Sequence, residues 1–68
     1  MKKNLNLKFR RIEAGLTQRA LAMHIGCSEK TISNYENGAK PSRELAVKIT
    51  RALGAGSPTD LFPRYWTE

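Results

Sequence analysis

The stretch QRALAMHIGCSEKTISNYEN, residues 18–37, decides the fold. Two helical periods meet in it at a glycine. Leu21, Ala22 and Ile25 share one face of a helix from Gln18 to about Ile25, and Ile32 and Tyr35 share one face of a second from Glu29 to about Glu36. Thr17 and Ser28 stand immediately before these runs, where a hydroxyl caps a helix N-terminus. Gly26 ends the first helix because glycine readily takes the positive φ that a tight turn needs. Helices joined by so short a turn cross at roughly 90–120°, which leaves one side of the pair to pack and the other to project. Ala22 is small enough for the crossing, and Leu21, Ile25, Cys27, Ile32 and Tyr35 supply a common apolar underside.

Working outward, Leu5, Phe9 and Ile12 follow four-and-three spacing and predict an earlier helix with these three residues inward, Leu7 at its margin and Gly15 as its stop. Beyond Asn37-Gly38 and a polar connector to Pro41, Ser42 caps a helix running to about Leu53, whose inward stripe is Leu45, Ala46, Ile49, Ala52 and Leu53. Ser57-Pro58-Thr59-Asp60 opens a short last helix around Leu61 and Phe62, with proline at the first helical position and an acid in the first turn. No strand is predicted. The expected architecture is all-α, a compact five-helix bundle, with residues 1–62 as one domain and 63–68 as a C-terminal tail.

Composition narrows the function. The chain has 68 residues, 40% hydrophobic and 26% charged, which suits a small packed core and neither a disordered tail nor a membrane protein. A chain of this length buries only about 60% of its unfolded surface and has no room for a deep substrate pocket as well as a core, so no enzyme is expected. His24 reads as a solvent-facing helix residue, without a nucleophile pattern around it. Cys27 is the single cysteine and there is no paired Cys/His spacing, so neither a disulfide, nor a metal site, nor a cofactor is expected, and a reducing cytoplasmic setting fits. The formal charge is +6. Cations gather at one end: Lys2, Lys3, Lys8, Arg10, Arg11 and Arg19 precede residue 20 against Glu13 alone. That distribution suits a polyanion.

At this point the sequence resembles the phage-repressor-like helix-turn-helix domains of the Xre/Cro type. The resemblance lies in Gly15-Leu16-Thr17-Gln18, Leu21-Ala22 through Ile25-Gly26, Ser28 through Thr31-Ile32-Ser33, Tyr35-Glu36-Asn37-Gly38, Pro41-Ser42 and Ala52-Leu53-Gly54. It covers residues 7–62. Two departures stand out: the connector from Gly38 to Pro41 is a residue shorter than the commoner family form, and Gly54-Ala55-Gly56 is a residue longer. The resemblance implies a lambda-repressor-like DNA-binding domain that acts as a transcriptional regulator, repression being the expected sense. It also implies an ion pair between Arg11 and Glu36 across helices, and backbone clamps at Asn37, Lys40 and Arg43, with Lys8 and Arg10 helping at the edge.

Residue chemistry gives the rest. A helix fits the major groove, where each base pair offers a distinct set of donors, acceptors and methyl groups. With Ile32 and Tyr35 inward, Ser28, Glu29, Lys30, Ser33 and Asn34 face outward from the second helix of the motif. Lys30 can donate to guanine, Asn34 can pair with adenine and Glu29 can accept from cytosine. Glu29 serves equally as a first-turn acid for its own helix. Gln18 stands at a helix N-terminus where its amide could join backbone N–H groups at a phosphate, and Thr31 either reaches a phosphate or faces solvent. Tyr65 and Trp66 belong either to a frayed tail or to a subunit contact. One such helix reads few bases, so a homodimer on an inverted-repeat duplex is expected. The rival from another class is an antitoxin-type protein-interaction module that also binds its own promoter.

Overall fold

A computed structural model describes residues 3–63. Tyr65 and Trp66 lie outside the described residues. Five helices follow one another: α1 Leu5–Glu13, α2 Gln18–Ile25, α3 Glu29–Glu36, α4 Arg43–Ala52 and α5 Pro58–Leu61. No strand occurs among the described residues. This is the all-α, lambda-repressor-like architecture, with α2 packed on α3 and α4, α1 on α3 and α5, and α5 on α4. No helix of the described residues is long and apolar enough to cross a membrane.

Each helix begins on a side chain suited to that place. Thr17 Oγ1 accepts from Ala20 N at 3.0 Å, Ser28 Oγ from Thr31 N at 3.2 Å and Ser42 Oγ from Leu45 N at 3.2 Å, satisfying donors that have no partner inside their own helix. At α5 the acid does the work: Asp60 Oδ2 accepts from Ser57 N at 3.2 Å and from Gly56 N at 3.1 Å. Asn4 caps α1 by accepting from Leu7 N at 3.0 Å. It also ties the two ends of the chain together, since its Nδ2 donates to Leu61 O at 2.6 Å and its backbone N–H donates to Glu36 O at 2.8 Å. At the end of α1, Gly15 at φ 75° turns the chain so that Gly15 N–H meets Ile12 O and Leu16 N–H meets Arg11 O, closing the helix in a Schellman motif.

The core draws on every helix. Leu7, Leu21, Ile32, Ile49, Leu61 and Phe62 are the largest fully buried side chains. Phe62 meets the Tyr35 ring edge-on, with centroids 6.1 Å apart and planes at 87°. Thr50 is buried on α4 without an orphan hydroxyl, because its Oγ1 donates to Ala46 O at 2.7 Å.

The expected inward face of α1 is corrected. Leu5, Phe9 and Ile12 are 49%, 56% and 53% exposed, whereas Leu7 and Arg11 are buried. Leu7 and Arg11 lie four residues apart and so share a face. Periodicity pointed to the opposite side because arginine counts as polar, yet here each nitrogen of the guanidinium makes a hydrogen bond inside the fold.

Candidate nucleic-acid interface

The site is built on the α2–α3 pair and begins with its inner scaffold. Arg11 Nε donates to Glu36 Oε2 at 2.5 Å and its Nη2 donates to Glu36 Oε1 at 3.3 Å, a two-point pairing between side chains only 11% and 7% exposed. The third arm of the guanidinium donates to Leu16 O at 2.7 Å. Gln18 Nε2 completes the set by donating to Glu36 Oε1 at 3.1 Å. Four segments are thereby tied together around one ion pair: α1, the start of α2 and the end of α3 through the carboxylate, and the α1–α2 turn through the guanidinium. A buried charge left unpaired is costly, so each member fixes the place of the others.

This scaffold sets which way α3 faces. Ile32, Tyr35 and Glu36 are buried, which leaves Lys30 and Asn34 exposed and Ser33 half-buried on the other side, with Ser28 and Glu29 exposed at the head of the helix. Gly26 makes the placement possible, because its φ of 82° lets α2 end abruptly and Cys27 N–H reach back to Ala22 O at 2.9 Å. Cys27 packs against the core, and burial pushes its thiol up from the ordinary value. The thiol is therefore a packing group and a poor nucleophile.

The clamp candidates separate into groups. Asn37, Lys40 and Arg43 are exposed along the connector and the first turn of α4, directly after α3 in the chain. Thr31 is half-buried, with its Oγ1 2.9 Å from Ser28 Oγ, so these two hydroxyls are coupled at the head of α3. Gln18 has its amide on Glu36, where sequence reasoning had aimed it at a phosphate. Arg10 is not gathered with α3: it lines a surface groove with Asn6, Phe9, Glu13 and Asp60, between α1 and α5. Asn4 was missed altogether. A single asparagine before a helix signals a cap, but nothing in the sequence tells that its other two hydrogen bonds go to α3 and to Leu61.

Electrostatically, the negative charge of Glu36 is neutralised within the scaffold by Arg11. The exposed side of α3 then presents Lys30 against Glu29, and the connector and the first turn of α4 add Lys40 and Arg43 against Glu44. A short helix with one polar, exposed side, crossed by α2 after a glycine turn, held at its base by buried hydrogen bonds and followed by the exposed cations Lys40 and Arg43, is the arrangement of a helix-turn-helix domain.

Comparison with known proteins agrees. The chain matches the helix-turn-helix family over residues 7–61. It is 45% identical over 53 residues, covering 76% of this chain and 77% of the relative, to an uncharacterized HTH-type transcriptional regulator of Methanothermobacter thermautotrophicus. No solved structure matches it. The chain belongs to the helix-turn-helix family of DNA-binding transcriptional regulators, of the Xre/Cro type.

Proposed function

We propose that the protein is a sequence-specific regulator of transcription, acting as a repressor, that reads duplex DNA through the major groove with α3. Residues 1–62 act as the single DNA-binding domain. Ser28, Glu29, Lys30, Ser33 and Asn34 meet base edges, while Thr31, Asn37, Lys40 and Arg43 hold phosphates. Gln18 contributes from the start of α2, since its amide nitrogen carries a second N–H beyond the one given to Glu36. Arg10 serves only where the duplex runs past the edge of α1. The observation that supports this reading is the division of α3 into a buried side, Ile32, Tyr35 and Glu36, and an opposite side whose polar groups are exposed.

One α3 covers few base pairs, so two copies on an inverted repeat, their readers one helical turn of about 34–36 Å apart, supply the specificity. Direct titration of a labelled duplex in a salt series tests the reading. Binding that prefers one sequence at moderate salt supports it; binding set by charge alone, equal on all sequences, overturns it. The antitoxin-type alternative makes a different demand: a tightly held protein partner that co-purifies with the chain.

A further inference from the structure

We propose that the outer face of α1 is a self-association surface on which a second copy of this chain lays its own α1 in parallel. The inference goes beyond DNA binding and does not rest on it. Leu5, Phe9 and Ile12 are each about half exposed, and no described element covers them. Single exposed apolar residues need no explanation. Here three of them form a continuous stripe on one nine-residue helix, on the side away from buried Leu7 and Arg11.

The spacing of that stripe, four then three, is the seam of a two-stranded coiled coil, with Leu5 and Ile12 at d positions and Phe9 at the a position between them. Lys8 then falls at g and Glu13 at e, the positions that flank a seam and choose its partner. Both are exposed. In a parallel pair the g residue of one helix meets the following e residue of the other, so Lys8 meets Glu13 of the second copy, and the two-fold axis repeats the pair. In an antiparallel pair g meets g and e meets e, which sets Lys8 against Lys8 and Glu13 against Glu13. Charge therefore selects a second copy in the parallel orientation.

The size of the face sets the strength. Roughly 800 Å² per partner makes a standard interface, and a free-standing coiled coil takes three to four heptads. α1 offers little more than one heptad. Association is accordingly weak between free copies and becomes appreciable at the effective millimolar concentrations reached when two copies are held near one another. It uses neither α3 nor Asn37, Lys40 and Arg43.

Sedimentation and amide chemical shifts, followed without DNA from micromolar to millimolar protein, test the proposal. The wild type gains mass with concentration, with shift changes centred on α1. Phe9→Glu loses the association while keeping its helical circular dichroism. Lys8→Glu and Glu13→Lys each weaken association about ten-fold by turning two attractive pairs repulsive, and the double exchange restores it. A wild type that stays monomeric at millimolar concentration would overturn the proposal. So would a Phe9→Glu variant that associates as the wild type does, or single reversals without effect. A protein that stays monomeric without DNA yet binds one duplex sequence in preference to others removes this inference and leaves the reading of DNA by α3 intact.

Discussion

Arg11 shows at the scale of one residue why the sequence was only partly legible. Charge alone suggests a DNA contact, and periodicity places the residue on the outer side of α1, yet its side chain is 11% exposed and bonded to Glu36 and Leu16. Neither signal contains the partner; family resemblance does. Because the pair is buried, removing one member leaves an uncompensated charge, so Glu36→Ala is expected to cost about 3–5 kcal/mol, read from urea unfolding. A loss below about 1 kcal/mol would make it an ordinary surface pair. On the other side of α3, Lys30→Ala and Asn34→Ala remove exposed side chains with no described partner role in the core. Each is expected to leave the unfolding midpoint within the small spread of surface substitutions while relaxing base preference by about 1–3 kcal/mol at one position.

Among the elements, α2, α3, α4 and α5 were readable because their punctuation is strong: a capping hydroxyl before α2, α3 and α4, a serine with proline and an acid opening α5, and glycine ending α2. Their inward faces also carry apolar residues at helical spacing. On α1 the apolar residues lie mostly outside, so the same rule gave the correct helix and the wrong face. The turn between α2 and α3 offers a clean test. A Cβ at Gly26 would meet nothing within 4 Å, but φ is 82°, so Gly26→Ala is expected to cost about 1–2 kcal/mol from backbone conformation alone. An alanine variant as stable as the wild type would show that the turn tolerates another conformation. Ser28→Ala is expected to cost about 1 kcal/mol and to loosen the head of α3 through the lost bond to Thr31 N–H.

For the whole molecule, the small core makes stability sensitive to two ionisable groups, buried Tyr35 and half-buried Cys27. Burial raises the Cys27 thiol above its ordinary value of 9.0 and the Tyr35 phenol above 10.0, the latter opposed by a hydrogen bond from the Ser42 backbone. The folded chain thus keeps these protons to higher pH than the unfolded chain. Stability is full below the thiol's ordinary value and falls as pH climbs through the folded values. Melting temperature followed into the alkaline range checks this, and Cys27→Ala is expected to delay the onset of the fall. On the proposed function, the net charge of +6 and the side chains of Lys40 and Arg43 set how binding depends on salt. Lys40→Ala or Arg43→Ala is expected to weaken binding to all duplexes alike and to reduce the salt slope by about one unit each. Selection from a pool of randomised duplexes, with sequencing of the bound fraction for the wild type and for Lys30→Ala with Asn34→Ala, addresses the role of α3 most directly. Enrichment of an inverted repeat by the wild type, with the preference relaxed inside each half-site in the double variant, is the predicted result; no enriched sequence, or the same sequence enriched equally by both proteins, would contradict it.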